Sequence, residues 1–273
     1  MEAESLNPDE EVAGRVCKVL QNLLVLAVGL IVAACGNSDS GLTSTEAMDR
    51  ESVREYLLVH PEIVLDDPEI SDAIRRARLS REQDRAAAAR RTVLETRADL
   101  LTSPLTPSSG DVGAAVTLIE FFDYQCLPCK ASNPGLNRVR ATTEDLRIVY
   151  GQLPIYGSHS IMAARAAIAA HRQGRFDAFH DALMNSNTGL DMDSIYATAA
   201  EVGLDLEKLR DDMRDPVVLE YLEEVRLLAE ALGVTGTPAF IIGDAALSGG
   251  MAADELSAEI ARQRAQSDRA LSQ

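Results

Sequence analysis

The sequence predicts an α/β fold that carries a large helical insertion and comes after a separate N-terminal helical segment. Three observations point there. An apolar run, "AAVTLIEFF", leads directly into a helical pattern and then a second apolar run, "LRIVYGQLP". From Ser158 to Leu232 the pattern is helical throughout. Two short strands and one amphipathic helix then close the chain. Strand, helix, strand, helical block, hairpin and helix in that order describe a sheet with helices packed on it.

The chain has 273 residues, of which 46% are apolar, enough for one or two domains with cores of their own. Aromatic residues make up only 4% and there is no Trp, so alanine-rich helices are expected to fill much of the interior. The net charge of −17 argues against a nucleic-acid role, because binding phosphates needs a basic footprint. The acidic balance reads as a solvated surface.

Leu23 to Ala34 is an unbroken apolar run of 12 residues. It falls short of the roughly 20 residues that span a bilayer and has the length of a secretory signal core. Val32-Ala33-Ala34-Cys35 resembles a bacterial lipoprotein lipobox, which implies a signal segment over 1–35, cleavage before Cys35 and lipidation of its thiol. The preceding "MEAESLNPDEEVAG" is acidic, with only Arg15 and Lys18 as basic flanks, so an uncleaved membrane anchor is the alternative. Either way the remainder is expected to be exported, to the periplasm or cell envelope. Residues 36–45 are polar and Gly/Ser-rich, which suits a tether. Cys17 falls in the signal segment, so a lipidated Cys35 leaves Cys126 and Cys129 as the free thiols.

Residues 46–101 read as helical and distinct from the main domain. Val53, Tyr56, Leu57, Val64 and Leu65 lie on apolar faces interrupted at Pro61; Ile70, Ile74, Ala77, Val93, Leu94 and Leu101 continue beyond it. The middle is so polar that it reads as a solvated helix. The segment has too little apolar surface to fold alone, and needs the main domain or another copy of itself. Residues 102–113, "TSPLTPSSGDVG", read as a linker.

The main domain is expected over 114–266. Its first strand leads to a helix that opens at the cysteines and runs to about Ala141. After the second strand comes the helical insertion, about 158–232: "SIMAARAAIAAHR", "FDAFHDALM", "DMDSIYATAAEVG" ending at Gly203, then "DLEKLRDDM". Asp215-Pro216 is a helix start, with an N-cap and then proline at the first helical position, and Gly233 ends that helix. "PAFIIG" and "AALSG" read as a hairpin around Gly243-Asp244, and "ADELSAEIARQR" as the final amphipathic helix.

Cys126 and Cys129 lie in "FFDYQCLPCK". A zinc site needs about four ligands, yet there is no second cysteine pair, and His60, His159, His171 and His180 are scattered. A disulfide across two residues closes so small a loop that it removes little entropy from the unfolded chain. A redox couple fits better. Cys126 at a helix N-terminus after a strand has its thiolate favoured by free N–H groups, and Cys129 one turn later can resolve a mixed disulfide.

"TLIEFFDYQCLPCK", "FDAFHDALM" and "ALGVTGTPAFIIGD" together resemble the DsbA-like thiol:disulfide oxidoreductases of the bacterial envelope, over about residues 114–266. The resemblance implies a thioredoxin fold with an inserted helical domain and no cofactor beyond the thiol pair. "REYLLVHPEIV" resembles the N-terminal segment of DsbA-like members that oligomerise, including the copper-sensitivity suppressor proteins, and implies a homo-oligomer, dimer or trimer. In this resemblance Cys126 is the exposed attacking cysteine and Cys129 the buried resolving one. Leu127 and Pro128 tune the redox poise. Thr237-Pro238 matches a cis-proline loop that presents backbone to the substrate, and Glu120 matches a buried acid that shuttles the proton of Cys129. The implied partners are exported proteins bearing thiols or disulfides, and a membrane redox partner.

Leu-Pro between the cysteines departs from the strongly oxidising members, which often carry His there, and matches the reducing thioredoxins. Alternation weakens the case for Glu120, since Phe121 and Phe122 both look buried. His159 reads as a surface residue, His180 as packing or local hydrogen bonding in its helix. Three rival readings stay open: a monomeric oxidase, a copper(I) carrier using the soft thiolates, and an interaction protein with a vestigial site.

Overall fold

The computed structural model describes residues 49–186 and 189–271. The signal segment with Cys17 and Cys35, the tether 36–45 and the first residues of the 46–101 segment lie outside the described residues. By internal contacts the chain divides into two units, up to Ala73 and from Ile74 onward.

In the first unit, α1 spans Arg50–Val59, α2 Glu62–Leu65, and α3, Pro68–Thr96, begins. Asp49 caps α1 by accepting the Ser52 N–H at 2.8 Å, and Asp67 Oδ1 accepts the Glu69 N–H at 2.8 Å at the head of α3. The first helix stops at His60, because Pro61 forces the residue before it out of helical geometry. No residue of α1 or α2 is buried, and Val53, Tyr56, Leu58, Val59 and Leu65 are exposed.

The second unit contains a five-stranded sheet. It comprises β1 (Ser108–Ser109), β2 (Val116–Phe122), β3 (Leu146–Gln152), β4 (Ala239–Ile242) and β5 (Ala245–Ser248), in the spatial order β1-β3-β2-β4-β5. Only β2 and β3 are parallel, with Val116 opposite Leu146 and Phe122 opposite Gln152. That pairing requires a crossover, supplied by α5 (Leu127–Thr142). β4 and β5 form the expected hairpin, Ile242 opposite Ala245. Gly243 takes a φ of 57°, a left-handed value that a two-residue hairpin turn needs and glycine supplies without strain.

Helices α6 (Ser158–Arg172), α7 (Phe176–Asn185), α8 (Met192–Glu201), α9 (Leu206–Arg214) and α10 (Pro216–Ala231) form the insertion, and α11 (Ala253–Leu271) closes the chain. Asp191, Asp205 and Asp215 cap α8, α9 and α10 through their side chains, as their place ahead of apolar periods foretells. The central strands β2, β3 and β4 are buried on both faces. Leu118 and Phe122 share one apolar cluster with α5, α7 and α11; Ile119 and Phe121 share the other with α10. The alanines of α6 reach both clusters, Ala163, Ala166 and Ala167 in the first and Ala164 in the second. A helix between two cores has no polar face to spare, which is why this one reads as alanine all round.

Two readings of the sequence are corrected. The stretch 102–113 is not a free linker. Ser108 and Ser109 form edge strand β1, paired with β3, and Thr106 is buried with its hydroxyl donating to the Leu100 carbonyl at 2.6 Å. The end of α3 is also part of the second unit's fold. Val93, Leu94 and Leu101 pack on the cluster around Ile119, Arg90 Nε donates to the Asp244 carbonyl at 2.6 Å, and Arg91 pairs with the Asp244 carboxylate. Pro and Ser read as loop residues on composition, but a short edge strand needs only backbone groups. The polar middle of α3 is solvated, as expected: residues 75–86 are exposed.

Candidate active site

The last residues of β2 lead through Asp123, Tyr124 and Gln125 to Cys126, the N-cap of α5. Cys126 and Cys129 are joined by a disulfide with Cα atoms 5.2 Å apart. The Cys129 N–H donates to Cys126 Sγ at 3.2 Å. That sulfur therefore occupies the place where an Asp or Ser oxygen caps other helices, and the end charge of the 16-residue helix behind it favours negative charge there. Leu127 and Pro128 fill the first turn, where a proline costs no hydrogen bond. Leu127 stands out at 77% exposed.

Cys126 was expected to be exposed and is not. Bridged, it is 1% exposed and Cys129 0%. Its sulfur is turned inward to meet Cys129 and lies 3.4 Å from the Thr237 carbonyl oxygen. The Thr237–Pro238 peptide bond is cis, and Pro238 opens onto β4, which pairs with β2. Thr237 and Pro238 are therefore brought to the cysteines by the sheet, across 111 residues of sequence.

Glu120 is 0% exposed. It stands between Tyr150 on β3 and Phe240 on β4. By the two-residue period it shares the face of Leu118 and Phe122, the face whose apolar cluster contains both cysteines. The burial of Phe121 and Phe122 does not count against this, because a central strand buries both faces and each ring belongs to a different cluster. Neither carboxyl oxygen has a hydrogen-bond partner among the described residues. Burial pushes its pKa up to about 8, so the acid is neutral over most of the physiological range.

Asp123 holds the approach to the cysteines together, and sequence reading missed it. Its buried carboxylate accepts the Gln125 N–H at 2.7 Å and the Ser160 hydroxyl at 2.7 Å on Oδ1, and the Ile155 and Tyr156 N–H groups at 2.8 and 3.1 Å on Oδ2. One side chain thus ties the cysteine loop to the β3–α6 loop and the start of α6. Asp123→Ala leaves these donors unpaired in a buried place, and is expected to lower the unfolding free energy by about 3 kcal/mol or more, measured as a lower urea midpoint at unchanged slope. The available signal was only position, an acid three residues ahead of the pair.

His180 joins the site's floor. Its Nδ1 shares a hydrogen bond with the Tyr124 hydroxyl at 3.1 Å, and the ring sits among Phe122, Tyr150 and Phe176. Burial pushes its pKa down to about 4, opposed by Asp181 and assisted by Arg140, so the ring is neutral and packed, as expected. Lys130, the residue after the pair, donates through Nζ to the Leu183 and Ser186 carbonyls at 3.2 and 2.6 Å, fastening α5 to the end of α7. The structure thus gathers Cys126, Leu127, Pro128, Cys129, Thr237 and Pro238 around one helix end, with Glu120 on the sheet face whose apolar cluster includes both cysteines. His159 is exposed on the first turn of α6.

A family model described as DSBA-like thioredoxin domain matches residues 117–261. Among solved structures, a thioredoxin-like oxidoreductase from Silicibacter pomeroyi DSS-3 is similar at 37% identity and a TM-score of 0.58, over 61% of this chain and 96% of that one. A linker-deletion mutant of Proteus mirabilis ScsC is similar at 26% identity and a TM-score of 0.60, over 82% of this chain and 100% of that one. Among curated proteins, the Na(+)/H(+) antiporter NhaA of Herminiimonas arsenicoxydans is 34% identical over 163 residues, covering 57% of this chain and 26% of the antiporter. The chain spans about a quarter of the length of the curated relatives it matches.

Proposed function

The chain belongs to the DSBA-like thioredoxin domain family, a family of thiol–disulfide oxidoreductases, and on that premise we propose that it reshuffles disulfides in exported proteins. The observation that supports this most is the Cys126–Cys129 bridge at a helix N-terminus beside Thr237–Pro238.

In the oxidising direction a substrate thiolate attacks Cys126 Sγ. The S–S bond breaks, Cys129 leaves as thiolate, and a mixed disulfide forms. Neutral Glu120, on the sheet face whose apolar cluster contains both cysteines, supplies the proton that Cys129 takes up. A second substrate thiolate then attacks the substrate sulfur of the mixed disulfide, and Cys126 leaves as a thiolate stabilised by the helix end. Two electrons pass from substrate to protein. Run backwards, the same steps reduce a substrate disulfide, and reduction with subsequent oxidation at another pair is isomerisation. Leu127 and Pro128 set the balance between directions, and the Thr237–Pro238 backbone receives the substrate chain.

The N-terminal unit supports the choice of isomerase. Its Val53, Tyr56, Leu58, Val59 and Leu65 are left exposed among the described residues, and we assign them to contact with one or two further copies, giving a dimer or trimer. The likeness to ScsC covers 82% of the chain and so reaches beyond the catalytic domain into these helices. Oligomers of this kind keep the site from a membrane oxidase and leave it to reshuffling. The setting is the cell envelope, with attachment through Cys35.

Reactivation of scrambled ribonuclease tests this. The chain from Gly36 is expected to run as a dimer or trimer and to restore activity. The unit from Ile74 is expected to run as a monomer and restore it at least about tenfold more slowly, having lost the second site that acts on the same substrate. A long form that runs as a monomer and only oxidises reduced ribonuclease would sink the isomerase reading in favour of the monomeric oxidase.

A further inference from the structure

Arg147 lies on β3 opposite Thr117, on the sheet face shared by Ile119 and Val149, away from the cysteines. It is 6% exposed. One terminal nitrogen, Nη2, donates to the Leu101 carbonyl at 2.7 Å and to the Ser108 hydroxyl at 3.4 Å. Its Nε is buried without a partner among the described residues. Among those residues no carboxylate forms an ion pair with it. A buried cation answered only by a carbonyl and a hydroxyl is costly.

Arg147 also lines a cavity of about 240 Å³. This lies between the sheet, the end of α3 and α4 (Ala98–Leu101). Leu94, Leu101, Ile119 and Ile241 make its apolar wall, and among the described residues Arg147 is its one charged lining group. An adjoining cavity shares Leu94 and Gly243 with it. That volume lies just below the usual range of small-molecule sites and suits a slender ligand. A single cation at one end and aliphatic walls along the rest suit a ligand with one carboxylate head and an unbranched apolar tail. An inorganic anion would leave the walls unused.

We propose that this cavity is a binding site for a medium-chain alkyl carboxylate, its head on the terminal nitrogens of the Arg147 guanidinium and its tail along Leu94, Leu101 and Ile119. The planar guanidinium edge matches a carboxylate in two parallel hydrogen bonds. The site is on the opposite sheet face from the disulfide and does not depend on the redox reading.

Decanoate titrated into the full chain below its micelle concentration, monitored by calorimetry, is the test. One decanoate per chain is expected, with decanol, decylamine and inorganic phosphate each at least tenfold weaker. Arg147→Gln, which keeps amide donors near the Leu101 carbonyl, is expected to weaken decanoate at least tenfold. Ala98→Trp, a change at an exposed lining residue of the cavity, is expected to block entry, and decides the matter should the arginine variant not fold. No decanoate binding, equal binding of decanoate and decanol, or binding that the folded variants leave unchanged overturns the proposal.

Discussion

Cys126→Ser is expected to bring disulfide exchange down to the uncatalysed background, while Cys129→Ser is expected to accumulate mixed disulfides on Cys126. The asymmetry comes from the geometry. Cys126 caps the helix and receives the Cys129 N–H on its sulfur at 3.2 Å, so it is the better leaving group and the stabilised thiolate. Cys129 lies one turn further along the helix and is expected to meet a substrate sulfur only after Cys126 has bound it. Non-reducing electrophoresis with a thiol-bearing peptide separates the variants: a peptide adduct on Cys129→Ser, none on Cys126→Ser. An adduct that forms on Cys129 instead would reverse the assignment.

Glu120→Leu is expected to stabilise the folded chain at pH 7 by about 3 kcal/mol and to slow exchange. The carboxyl has its pKa raised by burial from 4.5 to about 8. Between those values the folded chain holds a proton that the unfolded chain has lost. Stability from this group is therefore fully present below pH 4.5 and falls as the pH rises toward 8, where the loss is complete. Leucine removes the loss and the two unpartnered oxygens together. The gap between wild type and variant should widen from about pH 5 to about pH 8 in urea unfolding; a gap independent of pH would mean that Glu120 does not titrate in this range. The same variant should turn over reduced peptide roughly a hundredfold more slowly, the low end for losing a positioned proton donor. A stabilised but slower enzyme is the signature of a buried functional acid, and a purely structural one would leave the rate alone.

Much of the fold was legible because local signals agreed. Asp215-Pro216 marked the start of α10, Gly243-Asp244 marked the hairpin, and the run before Cys126 marked β2. The edge strand at Ser108–Ser109 was not legible, because its two residues contribute only backbone to β3 and carry no pattern of their own. The end of α3 was assigned to a separate segment for a similar reason. Val93 and Leu94 look like the tail of a polar helix until the face of β2 is placed against them. Glu120 was half legible: its place before the pair stood out, but alternation argued wrongly, since period-two reasoning assumes one wet face and this strand has none.

The sequence by itself determined the chemistry: a cysteine pair at the start of a helix after a strand, with the sulfur of the first in the capping position. Spacing alone sets that, because the N-cap and the residue three positions on are always within reach of each other. Tertiary structure decided what surrounds the pair. It brings Thr237 to Cys126 through β4, seals the bridged sulfurs from solvent, gives Glu120 an apolar setting and recruits Asp123 to tie two loops to the start of α6. Those features depend on strand pairings and loop contacts between residues far apart in the chain, and no local propensity encodes which strand lies beside which.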